Sequence, residues 1–186
     1  MEAGPELLDA TVAVLSDQGW EGLSLERVAE RAGVSRVTLW RQGVTREGLL
    51  EGLMERLRTD YRDAMWPVLT STGSGRERLE RGLGALCEVI DRHLELLQVS
   101  DSVFHRASKA RGPSTVGFNE AFERIVGDGR ADGSIRSDGS VEDAANVVFN
   151  TLCWSYVHLR GRHRWSAARA RPMVIDLVLH GLAAEH

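Results

Sequence analysis

Residues 24–50, which read SLERVAERAGVSRVTLWRQGVTREGLL, hold the side chains of this chain that are best suited to contacting a nucleic acid. The hydroxyls of Ser35 and Thr38 can donate hydrogen bonds to phosphates or to base edges. The guanidinium groups of Arg36 and Arg41 can bind phosphate, or bind guanine through two hydrogen bonds. These residue types at this spacing predict a DNA-contacting surface on one short helix.

Neighbouring residues extend this predicted surface. Val37 could touch a thymine methyl group, and Trp40 could pack on the sugar–phosphate backbone with its indole N–H toward a phosphate. Arg46 would place a positive charge at the start of the next helix, where backbone amides already attract an anion. Ser24 and Gln42 border the two helices and complete the candidate DNA-binding set. The alternative is a plain helical hairpin whose arginines are only solvated.

Three helices would have to position these side chains. A first helix is predicted from Pro5, which suits a first helical turn, to Gly19, a common type of helix end. Ser24 is a good N-cap for a second helix. Gly33 can supply the left-handed backbone that a tight turn between helices needs. Ser35 then caps a short third helix, and the unit is a helix-turn-helix.

The rest of the chain also shows helical spacing. A fourth helix is predicted from a Thr45 cap to about Trp66, because Pro67 disfavours helix in the residue before it. Residues 70–75 are the expected break, and residues 127–139 are expected to be a loop. Apolar residues at helical spacing mark the later helices: Leu79, Leu83, Leu86 and Ile90; Phe118, Phe122 and Ile125; Val141, Ala145, Val148 and Leu152; Val174, Leu177 and Val178.

Because no segment alternates as a strand would, the predicted fold is all-α. It comprises an N-terminal three-helix helix-turn-helix domain, residues 1–50, and a larger C-terminal helical domain, residues 51–186. The net charge of −4 permits a local basic face, and no apolar run is long enough for a membrane span. Cys87 and Cys153 form no metal-binding or disulfide pattern, which fits a reducing cytoplasm. No cofactor or metal is predicted.

Residues 5–50 resemble the N-terminal domain of the TetR family of transcriptional regulators. The residues that carry the resemblance are Gly19-Trp20, Ser24, VAERAGVS from Val28 to Ser35, Thr38-Leu39-Trp40, Arg46 and Leu49-Leu50. Two departures stand out. Gln42-Gly43-Val44 replaces the family's usual His-Phe pair, so Gly43 is expected to loosen the joint between the third and fourth helices. Acidic Glu2 and Glu6 occupy a region that is often basic in the family.

The resemblance implies a mechanism. A homodimer would place two recognition helices in successive major grooves of a palindromic operator in double-stranded DNA, most often as a repressor. A small-molecule effector in the C-terminal domain, which would serve ligand binding and dimerisation, would move the fourth helix and release the DNA. Dimers of this family often pair through their last two long helices, here about residues 141–159 and 167–182.

A ligand pocket of this family would lie between the fourth and eighth helices. The apolar candidates by type and location are Trp66, Leu86, Phe104, Phe118, Phe122, Phe149 and Trp154. The polar candidates are His93, His105, Asn150 and His158. Each of these residues is equally compatible with an ordinary core or surface position.

Two other functions stay open from the sequence. One is a relative that does not bind DNA and acts only by binding a ligand or a protein. The other is an all-α enzyme, although no spacing selects a nucleophile with a base: Cys87 and His93 do not share a helix face. Asp128 and Asp132 partly match a calcium loop, but Arg130 breaks the pattern, so we expect a connector.

Overall fold

The computed structural model describes residues 4–98 and 118–181, and all regular structure in them is helical. The helices are α1 Pro5–Gly22, α2 Leu25–Arg31, α3 Arg36–Arg41, α4 Arg46–Thr70, α5 Gly75–Arg92, α6 Phe118–Ala131, α7 Val141–Val157 and α8 Ala167–His180. A helical stretch, residues 94–98, follows α5, and a π-helical turn, His158–Arg162, follows α7. The predicted all-α fold is confirmed.

Internal contacts divide the described chain into two compact units. The N-terminal unit comprises residues 4–59 with 95–98, and the C-terminal unit comprises residues 60–94 and 118–181. The division falls within α4, which contributes residues to both units. The domain boundary at residue 50 therefore stays a prediction.

Each unit has its own apolar core. The core of the N-terminal unit contains Leu8, Val14, Leu15, Leu23, Val28, Ala29, Leu39, Leu49, Leu53 and Leu57. The core of the C-terminal unit contains Tyr61, Met65, Leu79, Leu83, Leu86, Ile90, Phe122, Ile125, Val126, Leu152 and Tyr156. Because these residues recur at helical spacing, each helix presents one apolar stripe to its core. No described helix has both the length and the apolar character that a membrane crossing requires.

Two helix ends in the N-terminal unit follow the predicted local chemistry. α1 is kinked at Gly19, whose φ is 64°, so the regular helix is interrupted where the sequence predicts its end. The Thr45 hydroxyl accepts a hydrogen bond from the Gly48 amide at 3.0 Å, as expected of the residue that caps α4.

The end of α4 differs from the prediction. The helix passes through Pro67 and ends at Thr70, so the expected end at Trp66 is wrong. The proline removes one helical hydrogen bond, but Val68 beyond it is buried in the C-terminal unit. The Thr70 hydroxyl donates to the Trp66 carbonyl at 2.9 Å, and the Ser71 hydroxyl donates to the Val68 carbonyl at 2.7 Å. Burial and these two bonds stabilise the last turn.

α6 is also longer than predicted. It continues to Ala131, so the loop expected over residues 127–139 begins too early in that prediction. The reason is a close approach of α5. A Cβ added to Gly75 would fall well inside van der Waals contact with Gly129, and one added to Gly129 would lie 2.5 Å from Cδ1 of Ile135. Glycine is used here because two backbones meet, which local spacing does not reveal.

The loop after α6 caps the N-terminus of α5. The Gly75 amide donates to Oδ2 of Asp132 at 2.7 Å, and the Arg76 amide donates to Oγ of Ser134 at 3.0 Å. These bonds satisfy amides that have no partner within the helix. Hydrogen bonds from Ser134 and Gly75 hold the pKa of Asp132 below its usual range.

Asp91 on α5 joins the later helices of the C-terminal unit. It accepts hydrogen bonds from the Tyr156 hydroxyl at 2.8 Å and from Nε of Arg160 at 2.6 Å. Nη2 of Arg171 lies 3.5 Å from the same carboxylate. The π-helical turn that follows α7 carries Arg160, so Asp91 holds this turn as well as α7 and α8 against α5.

Candidate nucleic-acid interface

The turn between α2 and α3 is built around Gly33. Its φ is 67°, and its amide donates to the Glu30 carbonyl at 3.2 Å. The Val34 amide donates to the Ala29 carbonyl at 3.0 Å. This pair of bonds is a Schellman motif, in which a left-handed residue ends the helix and satisfies its last carbonyls. The left-handed turn predicted at Gly33 is confirmed.

α3 ends in the same way at Gly43. Its φ is 66°, its amide donates to the Trp40 carbonyl at 3.0 Å, and the Val44 amide donates to the Leu39 carbonyl at 3.0 Å. Gly43 is therefore the residue that ends the helix in a defined turn. The expectation that it loosens the joint to α4 is wrong, because both bonds of the motif are formed.

Hydroxyl side chains start both helices. Oγ of Ser24 accepts from the Arg27 amide at 3.4 Å, and Oγ of Ser35 accepts from the Thr38 amide at 3.1 Å. The hydroxyls of Ser35 and Thr38 also lie 2.8 Å apart and bond to each other. Ser35 and Thr38 are exposed at the start of α3, while Ser24 is half-buried and caps α2.

The outward face of α3 consists of apolar and cationic side chains. Leu39 is buried and anchors the helix, whereas Val37 is 63 % exposed and Trp40 is 79 % exposed. Arg41 and Gln42 are exposed beside them. Among the described residues, Arg41 forms no hydrogen bond or ion pair. A large exposed aromatic next to an unpaired cation is typical of a surface that awaits an anionic partner.

Arg36 has an internal partner. Its Nη2 lies 2.9 Å from Oε1 of Glu26 on α2, and both side chains are exposed. A hydrogen bond from its own backbone amide, followed by the charge of Arg36, holds the pKa of Glu26 below its usual range. Glu26 is therefore ionised at neutral pH and offsets the charge of Arg36 while no nucleic acid is bound.

Arg46 is engaged within the N-terminal unit. Its guanidinium carbon lies 3.6 Å from the ring centroid of Trp20, and its Nη2 donates to the Trp20 carbonyl. The prediction of Arg46 as a phosphate ligand misses this partner, and the Gly19-Trp20 pair is the sequence signal that could have indicated it. The geometry favours a structural role, in which Arg46 ties the start of α4 to the end of α1.

We expect Arg46→Ala to lower the stability of the N-terminal unit by about 1–2 kcal/mol, through loss of the cation–π contact and of a charged hydrogen bond. Arg41→Ala is the matched variant. It should change stability by less than about 0.5 kcal/mol but reduce the salt dependence of DNA binding by about one counterion. Thermal denaturation and binding at several salt concentrations test both. Equal salt slopes for the two variants would contradict this division.

Gly43→Ala is expected to destabilise the N-terminal unit by about 1 kcal/mol, because an alanine is strained at positive φ. The control is Gln42→Ala, whose backbone is in the ordinary right-handed region. Denaturant titration of the two variants measures the difference. A Gly43→Ala protein as stable as Gln42→Ala would show that the Schellman turn does not hold the end of α3.

The structure brings three of the ligand candidates together. The ring centroids of Phe118 and Phe149 lie 6.3 Å apart, and those of Phe122 and Phe149 lie 5.9 Å apart. Tyr61, which is not among the predicted ligand residues, packs edge-on against Phe118 at 4.9 Å and donates its hydroxyl to the Phe118 carbonyl. We call Tyr61, Phe118, Phe122 and Phe149 the aromatic cluster.

The other ligand candidates are dispersed. Leu86 is buried in the core of the C-terminal unit. His93 is buried with its Nε2 2.7 Å from Oδ2 of Asp60, and Nδ2 of Asn150 donates to the Asn146 carbonyl at 2.8 Å. The remaining described candidates, Trp66, Trp154 and His158, are exposed, and Phe104 and His105 lie outside the described residues. Ligand binding by any of these residues stays a prediction.

An open groove of about 1150 Å³ lies elsewhere in the C-terminal unit, along α8 and the first turns of α5. Its lining includes Glu77, Glu80, Arg81, Arg171, Met173 and Leu179. None of the predicted ligand residues lines this groove. Its mixture of both charges with apolar side chains resembles an exposed helix face more than a closed ligand cavity.

The thiols do not provide an enzymatic nucleophile. Burial raises the pKa of both Cys87 and Cys153 to about 12, so neither forms a thiolate at neutral pH. His93, the base weighed as a partner for Cys87, is bonded to Asp60. In the described part of the chain, no group of three or more His, Cys, Asp or Glu residues could hold a metal. Asp128 is paired with Arg78 at 2.9 Å.

Comparison with known proteins agrees with this architecture. Residues 7–53 match the family described as bacterial regulatory proteins, tetR family. No curated protein matches the chain. A transcriptional regulator of the TetR/AcrR family from Thermobifida fusca YX-ER1 is 17% identical, with a TM-score of 0.73, and the match covers 96% of this chain and 97% of that one.

Two further solved structures share the fold. A member of the TetR transcriptional regulator family from Streptomyces coelicolor A3 is 25% identical, with a TM-score of 0.59 and coverage of 96% and 91%. The transcriptional regulator FadR from Bacillus subtilis, in complex with stearoyl-CoA, is 17% identical, with a TM-score of 0.66 and coverage of 96% and 98%.

The fold and the exposed α3 define a DNA-binding regulator of the helix-turn-helix class. The match over residues 7–53, together with the shared fold, places the chain in the TetR family of transcriptional regulators.

Proposed function

We propose that the protein is a homodimeric transcriptional repressor that binds a palindromic operator in double-stranded DNA through α3. The outward face of α3 is the observation that carries this proposal: exposed Val37 and Trp40 stand beside the unpaired Arg41, on a helix anchored by buried Leu39. In helix-turn-helix proteins such a face enters the major groove, and its first residues reach the base edges.

The side chains of α3 suggest a division of roles. Val37 can contact a thymine methyl group and so contribute base preference. Arg41 and Trp40 suit the phosphate backbone, which sets affinity and register. Arg36 would exchange the Glu26 carboxylate for a phosphate or a guanine, since an exposed ion pair of this kind is weak. Base preference should therefore depend on Val37 more than on Arg41.

Two copies are needed to read both halves of a palindrome, which lie about one helical turn apart. Exposed apolar residues on the last two helices support pairing there: Val147 and Trp154 on α7, and Met173 and Leu177 on α8. Exposed apolar side chains grouped on neighbouring helices are typical of a surface that associates with a partner.

We further propose that a small molecule bound in the C-terminal unit releases the operator. The aromatic cluster supports a ligand with an apolar body. Because the similar FadR from Bacillus subtilis holds stearoyl-CoA, long-chain acyl-CoA thioesters are the first ligands to test. Such a ligand lowers operator affinity only if it binds the DNA-free arrangement more tightly than the DNA-bound one.

This proposal assigns no catalytic activity to the chain. It also assigns DNA binding to residues 1–50, ligand binding and dimerisation to residues 51–186, and the site of action to the cytoplasm. The free, buried state of Cys87 and Cys153 supports a reducing compartment.

The experiment that tests this function is selection of bound duplexes from a random pool, followed by titration of the winning sequence at two salt concentrations. A palindromic winner, bound far above random DNA and more weakly at high salt, is the expected result. If no sequence is enriched even at low salt by a folded protein, the relative that does not bind DNA becomes the better description. An acyl-CoA screen by thermal shift then follows.

A further inference from the structure

The exposed face of α7 has a regular composition along its length. One stripe at helical spacing contains Asp143, Val147, Asn150, Thr151, Trp154 and His158, and all six residues are exposed. Val147 is 65 % exposed and Trp154 is 37 % exposed. The opposite face carries Ala145, Leu152 and Tyr156, which are buried in the C-terminal unit. The stripe is therefore available to a partner.

The order of residue types in this stripe is symmetric about its middle. Val147 and Trp154 lie at equal distances from the midpoint between Asn150 and Thr151, and both are apolar. Asp143 and His158 lie at equal, larger distances from the same midpoint, and they can carry opposite charges. A surface of this kind is complementary to itself when a second copy is rotated by a two-fold axis through the midpoint.

From this symmetry we propose that α7 packs antiparallel against α7 of a second copy, with the two-fold axis between Asn150 and Thr151. Val147 of each copy then faces Trp154 of the other, and Asp143 faces His158. The inference rests on the homodimer of the proposed function and specifies its register. A shift by one turn would place Val147 and Trp154 against polar residues, which disfavours other registers.

Neighbouring charges reinforce this register. Glu142 precedes the acidic end of the stripe, and exposed Arg162 and His163 follow its other end. Antiparallel packing brings the acidic start of one helix to the basic end of its partner, whereas parallel packing would bring like charges together. Asp143 already accepts from the Ser140 hydroxyl at 2.7 Å, which holds its carboxylate in place.

The interface also reassigns three of the ligand candidates. Asn150, Trp154 and His158 share this exposed stripe instead of facing the aromatic cluster. In this arrangement they contact the second copy and have no role in effector binding.

The register can be tested by cross-linking through Thr151→Cys. A disulfide requires Cβ atoms about 4 Å apart, so a cysteine joins its own copy only near the two-fold axis. Glu142→Cys is the control, since its two copies would lie about 25 Å apart along the helix axis at a rise of about 1.5 Å per residue. Cys87 and Cys153 are buried and do not compete. We expect a covalent dimer from Thr151→Cys, or from Asn150→Cys, and none from Glu142→Cys.

Charge reversal provides an independent test. Asp143→Lys and His158→Glu should each weaken self-association about tenfold, because both symmetry-related pairs are lost. A mixture of the two variants should restore dimers, since the introduced lysine of one copy then faces the introduced glutamate of the other, and the second pair is native. Sedimentation of the full chain measures both effects.

The outcomes separate the register from the dimer. A stable dimer that forms no Thr151→Cys cross-link, or equal cross-linking of Glu142→Cys, overturns the register while operator binding stands. A monomeric chain overturns the homodimer itself.

Discussion

Replacing Trp40 with alanine is expected to weaken operator binding about 10- to 100-fold. The side chain is 79 % exposed, so the helix keeps its own core contacts when the indole is removed. In the proposed complex the same side chain is covered by the sugar–phosphate backbone, and large aromatic anchors of this kind carry a disproportionate share of binding energy. A loss of this size corresponds to about 1.4–2.8 kcal/mol. Fluorescence anisotropy with the selected operator measures it.

Trp66→Ala is the matched control for this measurement. Trp66 is 66 % exposed, yet it lies on α4 in the C-terminal unit, outside the proposed DNA-contacting face. Both substitutions remove an exposed indole, and both should change stability by less than about 0.5 kcal/mol. Only Trp40→Ala should change operator affinity, and the salt slope should stay the same because no charge is removed. Unchanged affinity of Trp40→Ala would remove α3 from the interface.

Gly75→Ala should produce a large loss of stability for the addition of a single methyl group. The new Cβ would fall inside van der Waals contact with the backbone of Gly129 and lie 3.1 Å from the Ile125 carbonyl oxygen. Because the obstacle is backbone, relief requires α5 and α6 to separate. We expect a loss of about 2–3 kcal/mol and a decrease in Tm of roughly 5–10 °C.

Gly84→Ala on the same helix is the control. Nothing lies within 4 Å of a Cβ at that position, so the substitution should be neutral or should stabilise α5 by up to about 1 kcal/mol. Thermal denaturation followed by circular dichroism compares the two variants. If Gly75→Ala melts like Gly84→Ala, the close crossing of α5 and α6 is absent in solution.

The sequence alone determined the features that depend on residues within one helical turn. Ser24, Ser35 and Thr45 cap helices because a hydroxyl needs only the amide three residues ahead. Gly33 ends α2 because a left-handed residue costs glycine little. The capping box of Ser74 and Glu77 follows the same rule and was readable, although it was not among the predicted caps.

Other features depend on which helices meet, and only the tertiary structure decided them. α4 continues past Pro67 because residues beyond it are buried, and α6 continues through Gly129 because α5 crosses there. Arg46 stacks on Trp20, which lies far from it in sequence. The spacing of Trp154 marks it as apolar and helical, but which side of α7 is exposed depends on the neighbouring helices. Helical periodicity specifies faces, whereas the partner of each face is set by contacts between distant segments.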